Sequence, residues 1–255
     1  MRPHREKVFR ERPVVIKGIH AIEEGFASGK SIEKILLQRG TRNENISALI
    51  RLARDRGVPV QEVPVEKLNQ FGAAHQGIVA IISPIAFYRA DDMLAQVYDK
   101  GEDPLFIICD GITDVRNFGA IARTAFASGA HAIIIPQTET AAINSEAVKT
   151  SAGALMKIPV CREKNLVQTV KNLKLNGIRI LAAEASGSKF FYECDLKIPT
   201  AIIVGSEGEG ISRELLRLAD ELVKIPITND FNSYNVSVAT GMILYEVMKQ
   251  RISRE

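Results

Sequence analysis

Short apolar runs alternate with amphipathic stretches along most of the chain. The apolar runs predict strands near residues 14–16, 32–37, 58–63, 78–82, 105–109, 132–135, 158–161, 178–182 and 201–204, and a last strand ending near residue 226. Helical spacing of apolar residues predicts helices over residues 20–28, 46–56, 65–71, 91–98, 118–128, 145–150, 166–175 and from 236 toward 251. Strands that alternate with helices in this way predict an α/β fold with a mainly parallel sheet.

The same pattern divides the chain into two folded units. Residues 1–12 are mostly charged and predict a flexible basic tail. Residues 13–84 predict a small α/β unit, and the proline-bounded residues 85–103 are interpreted as a linker that carries a connecting helix. Residues 104–255 predict a larger unit. Its first strand, 105–109, is wholly apolar, which is typical of a strand buried on both faces of a parallel sheet.

Composition narrows the class of protein. The 255 residues are 46% hydrophobic and 25% charged, as in an ordinary globular protein, and no stretch has the roughly 18 apolar residues of a membrane span. The polar N-terminus does not match a secretory signal. Because Cys109, Cys161 and Cys194 are far apart and no histidine stands at ligand spacing from them, we expect reduced thiols, no metal site and a cytoplasmic protein.

The N-terminal unit is the more basic of the two. Residues 1–84 hold 14 Lys and Arg against 9 Asp and Glu, a net charge of +5, whereas the whole chain carries +3. This distribution fits an anionic partner such as nucleic acid, and it fits a solvated basic surface as well. Candidate contacts with an RNA phosphate are Arg39, Arg42, Arg51, Arg54 and Arg56. His75, in a turn, could contact RNA or simply stabilise that turn.

A glycine-rich turn follows the predicted strand 201–204. Gly205, Gly208 and Gly210 are interspersed with Ser206, Glu207 and Glu209. The spacing matches neither a dinucleotide-binding GxGxxG loop nor a Walker loop, and the two glutamates would repel a phosphate. If this turn binds a ligand, it therefore suits a neutral or cationic one better than a nucleotide phosphate.

Two further segments stand at predicted helix starts. In the first, Asn117 is placed at the helix N-terminus, Gly119 would let another backbone approach, and Arg123 is expected to project near Asn117. In the second, Ser233 and Asn235 precede the last helix. Each segment alone could be ordinary helix capping. Three such segments on three strand ends favour a binding site at the carboxyl edge of the sheet.

In this combination the chain resembles the SpoU-type RNA ribose methyltransferases of the SPOUT class. Three motifs carry the resemblance, and they match here as Asn117-x-Gly119-x-x-x-Arg123, as Gly205-x-Glu207-x-x-Gly210, and as Ile225-Pro226 followed by Ser233-x-Asn235. Tyr234 departs from the family's usual leucine but should still pack against a purine ring. Residues 14–84 resemble the family's ribosomal-protein-like (L30e-like) RNA-binding domain.

The resemblance implies a C-terminal SPOUT domain threaded into a trefoil knot, and a homodimer in which the partner chain completes each site. It implies S-adenosyl-L-methionine as the cofactor, bound by Gly205, Glu207, Gly210, Ile225, Tyr234 and Asn235. It implies methylation of a ribose 2′-hydroxyl in RNA, with the catalytic residues Arg123, Asn117, Glu207, Ser233 and Asn235. Arg123 would also contact the RNA. A guanidinium stays protonated, so it suits stabilisation of an alkoxide better than the role of a base.

The separate N-terminal domain favours large-subunit (23S) ribosomal RNA, at a guanosine, as the substrate. A ribose methyltransferase acting on tRNA is one alternative. A non-enzymatic RNA-binding factor for ribosome assembly that keeps the same fold is another. A nucleotide-dependent oxidoreductase that uses the Gly205 turn is a third, and the spacing of the glycines speaks against it.

Overall fold

The computed structural model describes residues 13–41, 44–230 and 232–252. The predicted tail, 1–12, and Arg42 lie outside the described residues. The N-terminal unit consists of β1 (Val15–Lys17), α1 (Ile19–Ala27), β2 (Ile32–Gln38), α2 (Glu44–Asp55), β3 (Val60–Val63), α3 (Val65–Asn69) and β4 (Ile78–Ile82). Its sheet has the strand order β1-β4-β2-β3, in which β4 is antiparallel to both neighbours and β2 is parallel to β3.

The second unit is built on an eight-stranded sheet. Its elements in chain order are β5 (Phe87–Tyr88), α4 (Ala90–Asp99), β6 (Leu105–Asp110), α5 (Val115–Ala127), β7 (Ala132–Pro136), α6 (Ser145–Thr150), β8 (Val160–Glu163), α7 (Leu166–Leu175), β9 (Arg179–Ala183), β10 (Lys189–Phe190), β11 (Thr200–Gly205), α8 (Arg213–Leu218), β12 (Glu221–Lys224) and α9 (Val236–Ile252). The strand order is β10-β12-β9-β11-β6-β7-β8-β5, and each pair of neighbours is parallel. The predicted α/β class with a parallel sheet is confirmed.

Helices cover both faces of this sheet, which explains the apolar runs. One core lies between the sheet and α5, α6 and α9, and the other lies between the sheet and α4, α7 and α8. The two central strands, β6 and β11, are buried along nearly their whole length because each has helices on both sides. Cys109, Cys161 and Cys194 are all buried and unpaired, as expected.

The region interpreted as a linker takes part in the larger sheet. Phe87 and Tyr88 pair with Val160 and Cys161 and form its last edge strand. The helix α4 then buries Met93 and Leu94 against the second core. A strand of two residues is too short to show alternation, which is why the hydrophobic pattern did not reveal it.

The last helix, α9, crosses one face of the sheet from edge to edge. Its first turn lies at the carboxyl edge, and its last turn is fixed at the amino edge. There Arg251 donates to the carbonyl oxygens of Asp103 at 2.7 Å and Ile198 at 3.0 Å, just before β6 and β11 begin. Within the described ranges, no helix is both long and apolar enough to cross a membrane.

Candidate active site

A cleft of about 330 Å³ opens at the carboxyl ends of β9, β11 and β12. Five of the six residues predicted to bind the cofactor line it, namely Gly205, Glu207, Gly210, Ile225 and Tyr234. The cleft also contains Glu184 and Ala185, which follow β9 and were missed by the sequence analysis. Their position just after a parallel strand was the available signal.

The glycine-rich turn folds tightly back on itself. Ser206 and Gly210 exchange two backbone hydrogen bonds, of 3.1 and 3.0 Å, which close the turn. A Cβ atom at Gly205 would overlap the backbone of Gly210 and Ile211, so a glycine is required there. Gly210 has a φ of +71°, in the region that glycine adopts without strain. The turn thus presents backbone and the Glu207 side chain to the cleft.

The three predicted motifs meet through one polar network at the mouth of the cleft. The Nδ2 atom of Asn117 donates to Glu207 Oε1 at 3.0 Å. The Nδ2 atom of Asn235 donates to the same oxygen at 2.6 Å and to Asn117 Oδ1 at 3.0 Å. Residues separated by about 90 and 118 positions in the sequence are therefore in direct contact. We refer to Asn117, Glu207 and Asn235 as the polar network.

Each asparagine of the polar network has a defined place on its helix. Asn235 caps α9, because its Oδ1 accepts from the Ser237 backbone at 2.9 Å and from the Ser237 hydroxyl at 2.6 Å. Asn117 does not begin its helix. Asp114 caps α5 by accepting from the amides of Arg116 and Asn117, both at 2.9 Å. The side chain of Asn117 is therefore not used for capping and contacts Glu207 instead.

Gly119 allows α5 to pack closely against α6, as predicted. A Cβ atom there would lie 2.7 Å from Thr150 Cβ and 3.1 Å from the carbonyl oxygen of Ala147. These distances leave no room for a larger residue. The close packing fixes the start of α5 and, with it, Asn117.

Arg123 lies apart from the cleft of its own chain. It stands six residues after Asn117 on α5, which is about 9 Å along the helix axis and well over one turn. Its side chain is exposed, does not line the cleft, and has no hydrogen bond or ion pair with the described residues. The expectation that Arg123 projects near Asn117 was therefore wrong for a single chain, because six residues do not return to the same side of a helix.

Ser233 and Tyr234 form one wall of the cleft. Tyr234 is 38% exposed, and its hydroxyl donates to the carbonyl oxygen of Pro226 at 3.1 Å, which fixes the ring at the rim. Ser233 is exposed and, in the part of the chain that the structure describes, is not hydrogen bonded to the polar network.

An apolar surface adjoins the cleft at Ile225 and Tyr234. Tyr192, Val238 and Tyr245 on this surface are 46%, 48% and 62% exposed. Large exposed apolar patches commonly mark interfaces between proteins. We refer to these five residues, together with Met242, as the apolar face.

The residues of the N-terminal unit that were predicted to contact RNA differ in exposure: the described arginines are exposed and the histidine is buried. Arg39, after β2, and Arg51 and Arg54, on α2, are exposed. His75 is 7% exposed, and its two ring nitrogens are 3.0 Å from Asn69 Oδ1 and from the amide of Gly77. Because both nitrogens are engaged, His75 holds its turn in place and has no free nitrogen for RNA.

The described residues at the carboxyl edge of the sheet support neither a nucleophilic cysteine nor a metal site. Burial, helped by the neighbouring Asp110, raises the pKa of Cys109 to about 12, so the residue stays a thiol rather than a nucleophilic thiolate. Among the described residues, no group of three or more His, Cys, Asp or Glu side chains is placed to hold a metal ion.

The chain matches two family models. Residues 104–245 match the SpoU rRNA Methylase family, and residues 15–88 match the family described as RNA 2′-O ribose methyltransferase substrate binding. The chain belongs to the SpoU rRNA Methylase family. The resemblance found in its three motifs is thereby confirmed, and the SpoU residues of this chain can be compared with those of solved relatives.

Relatives of this SpoU protein align along nearly the whole chain. A TrmH family tRNA/rRNA methyltransferase of Staphylococcus saprophyticus is 39% identical over 93% of this chain and 96% of its own length. An AdoMet-bound rRNA methyltransferase of Sinorhizobium meliloti has a TM-score of 0.60 at 25% identity, over 93% of this chain and 87% of its own. A TrmH/SpoU tRNA modifying enzyme of A. aeolicus is 32% identical with a TM-score of 0.55, over 64% of this chain and 85% of its own.

Proposed function

We propose that this SpoU protein is an S-adenosylmethionine-dependent methyltransferase that acts in the cytoplasm on a ribose 2′-hydroxyl of RNA. The observation that carries the proposal is the polar network, since it joins residues of three separate motifs at the mouth of one cleft. The family and the AdoMet-bound relative support the cofactor.

The cleft fits this cofactor by its charge. Glu184, Glu207 and Glu209 line it, and none of its described lining residues is Lys or Arg. A sulfonium is cationic and an adenosine carries no phosphate, so both suit an acidic cleft, whereas a nucleotide diphosphate would be repelled. This charge pattern also disfavours the oxidoreductase alternative. When bound, the cofactor supplies the reactive methyl group, and the protein supplies position and electrostatics.

The chain's own residues orient the reacting groups. Gly205, Gly210, Ile225 and Tyr234 hold the cofactor through backbone and an apolar wall. Asn117 and Asn235 both donate to one oxygen of Glu207, which fixes the carboxylate in one direction. Ser233, on the wall of the cleft, would contact the ribose. A ribose hydroxyl must lose its proton during attack, and a nearby cation stabilises the alkoxide that develops.

Arg123 is the proposed source of that cation, reaching the cleft from a partner chain. It is exposed on α5, which packs against α9 through Thr124 and Gly241, and Gly241 borders the apolar face. A homodimer formed through the apolar face would bring the Arg123 of one chain toward the cleft of the other. The exposed tyrosines and Val238 support this surface as the interface.

The trefoil knot belongs to the same proposal. Asn235 lies against Glu207 and Asn117, so the chain that follows β12 returns to the glycine-rich turn before α9 begins. Arg251 then secures the far end of α9 at the amino edge. These contacts support a threaded C-terminal segment. The N-terminal unit, for which we propose an L30e-like fold, would hold the RNA with Arg39, Arg51 and Arg54.

Large-subunit ribosomal RNA, at a guanosine, is the proposed substrate. The relative named as an rRNA methyltransferase aligns over 93% of this chain, whereas the tRNA modifying enzyme aligns over 64%. The N-terminal unit, residues 15–88, matches a substrate-binding family of RNA ribose methyltransferases. This supports ribosomal RNA over tRNA as the target.

Two measurements test the proposal. Calorimetry should show S-adenosylmethionine binding, and mapping of ribose methylation in ribosomal RNA and tRNA, with and without the gene, should show one lost site in ribosomal RNA. Arg123→Ala should keep cofactor binding and lose methylation. A protein that does not bind the cofactor would instead be the non-enzymatic assembly factor, and a lost tRNA site would identify the tRNA enzyme.

A further inference from the structure

A second groove, of about 430 Å³, lies between the two units of the chain. The N-terminal unit lines it with the end of α1, the start of β2 and the end of α2. The larger unit lines it with β5 and the end of β8. It is separate from the cleft: the two have no lining residue in common.

The groove is strongly cationic. Its basic lining residues are Lys30, Arg56, Arg89, Arg162 and Lys164, and its acidic lining residue is Asp55. Carboxylates neutralise two of these cations: Glu163 pairs with Arg89 at 3.0 Å, and Glu33 pairs with Arg162 at 2.5 Å. Lys30, Arg56 and Lys164 are exposed and have no ion pair within the described ranges. Arg56 also donates to the carbonyl oxygen of Phe26 at 3.4 Å and lies 5.9 Å from the centre of its ring, contacts that leave its charge in place. Three cations without an ion pair among the described residues, against the one carboxylate of Asp55, leave a net positive charge available to a ligand.

The groove also presents an aromatic ring. Tyr88 is 43% exposed and lies next to Arg89 in the lining. An exposed ring in one groove with cations that have no ion pair is an arrangement with which proteins bind single-stranded RNA, because bases stack on the ring while cations contact the phosphates. A duplex offers no such free base face.

The floor of the groove is held rigidly. Arg162 and Glu33 have side chains only 5% and 10% exposed, and Arg162 also donates to the backbone carbonyl of Glu33 at 2.9 Å. The guanidinium lies 3.3 Å from the centre of the Phe87 ring. Its Nε atom is buried without a hydrogen-bond partner among the described residues, which leaves part of the cation unsatisfied beneath the groove. The two walls are thus fixed relative to each other before a ligand arrives.

We propose that this groove binds the sugar–phosphate backbone of a single-stranded segment of the substrate RNA, with one base stacked on Tyr88. The inference rests on the proposed action on RNA and adds a binding site that the catalytic motifs do not contain. Lys30, Arg56 and Lys164 contact the phosphates. None of the residues predicted from the sequence as catalytic or cofactor-binding takes part in it.

The position of the groove relative to the cleft suits one continuous RNA strand. Both lie toward the carboxyl edge of the larger sheet. The groove includes Arg162, near the end of β8, and the cleft includes Gly205, which ends β11. From β11, the strand of the cleft that lies nearest the groove, to β5 there are four strand spacings, about 19 Å. The groove can therefore hold nucleotides that flank the one in the cleft.

The test uses the full chain and a labelled single-stranded RNA of about 12 nucleotides, with affinity followed by fluorescence anisotropy over a range of salt concentrations. The double variant Lys30→Ala/Lys164→Ala is compared with Lys100→Ala/Lys171→Ala, which removes the same charge from exposed lysines outside the groove. The groove variant should lower the slope of log affinity against log salt by about 1.4, for two lost phosphate contacts, and the control by much less.

The stacked base is tested with Tyr88→Ala and Tyr88→Phe. The alanine variant should bind the RNA about fivefold to about 150-fold more weakly, while the phenylalanine variant, which keeps the ring, should match the wild type. All variants should retain S-adenosylmethionine binding and thermal stability close to that of the wild type, because the groove is distant from the cleft.

Each outcome decides between the two proposals. If the wild type binds cofactor and methylates RNA but the groove variants bind RNA like the control, the groove inference fails and the proposed function stands. If the wild type binds no cofactor, the proposed function fails on its own measurement. A loss through the lysines without any loss in Tyr88→Ala would indicate attraction of any polyanion, such as an acidic peptide, and would overturn the stacked RNA strand.

Discussion

Asn235 makes two separable contributions, and Asn235→Asp separates them. The Oδ1 atom of Asn235 caps α9 by accepting from Ser237, while its Nδ2 atom donates to Glu207 at 2.6 Å and to Asn117 at 3.0 Å. Aspartate has the same shape and keeps an acceptor for the cap, but it replaces the donor with a second carboxylate oxygen. The substitution therefore preserves the helix start and reverses the interaction with Glu207.

The magnitude follows from the geometry of that contact. Two like charges about 4 Å apart repel by about 1 kcal/mol in water and by about 4 kcal/mol at the effective dielectric typical of pairs near a protein surface. The site is exposed, so we expect the lower part of this range. A hydrogen bond to a charged group, worth about 1.5–3 kcal/mol, is lost as well. A loss of only about 1.4 kcal/mol in the transition state lowers the rate tenfold, so methyl transfer should fall by at least about tenfold.

The assay is the initial rate of methyl transfer to ribosomal RNA, measured together with thermal unfolding. Asn235→Asp should keep the helix cap, because aspartate caps a helix as well as asparagine does, so its loss of thermal stability should come from the contacts of Nδ2 alone. Asn235→Ala is the comparison: it loses the cap, at about 0.5–2 kcal/mol of stability, as well as the contact with Glu207. A rate for Asn235→Asp within twofold of the wild type would refute the role given to the polar network.

Three further predictions concern the turn, the interface and the junction of the units. Gly205→Ala should lose cofactor affinity in calorimetry and about 1–3 kcal/mol of stability, since its Cβ overlaps the backbone of the turn. Gly208→Ala, with open space around the added Cβ, should match the wild type, and equal losses in the two variants would contradict this explanation. Tyr245→Glu should convert a dimer to a monomer in analytical ultracentrifugation without unfolding it, because this ring is 62% exposed, and a persisting dimer would exclude the apolar face. Arg162→Ala should cost about 3–5 kcal/mol in urea unfolding, because the Glu33 carboxylate stays buried and loses its cationic partner, although it still accepts from the Ile143 amide. Glu33→Leu/Arg162→Met should recover most of this cost, and a double variant whose cost is the sum of the two single substitutions would argue against coupling.

Much of the fold could be predicted from the sequence, because the larger sheet is parallel and covered on both faces. In such a sheet each central strand is a continuous apolar run bounded by glycine or polar residues, as 105–109 and 201–204 show. The edge strand Phe87–Tyr88 was not predictable, since two residues carry no period. Nor was the strand order, in which β11 lies between β9 and β6.

The candidate site was predictable as a set of residues but not as an arrangement. The motifs named Asn117, Glu207 and Asn235, and the structure brings their side chains together. Their hydrogen bonds depend on which strands are neighbours, and that information is not local in sequence. The position of Arg123 relative to Asn117, in contrast, was predictable from local sequence. Its spacing from Asn117 on one helix fixes the two on different sides, so helical geometry alone could have corrected the expectation.

The helix α9 joins the features of the larger unit that the proposed function uses. Its 17 residues span about 25 Å, from Asn235, which precedes it at the mouth of the cleft, to Arg251 at the amino edge of the sheet. Between these ends its inner side packs on the sheet and α5, and its outer side carries Val238 and Tyr245 of the apolar face. Because one rigid helix bears all of these groups, whatever covers its outer side also fixes the position of Asn235. The geometry of the polar network and the burial of the apolar face are therefore not independent properties of this chain.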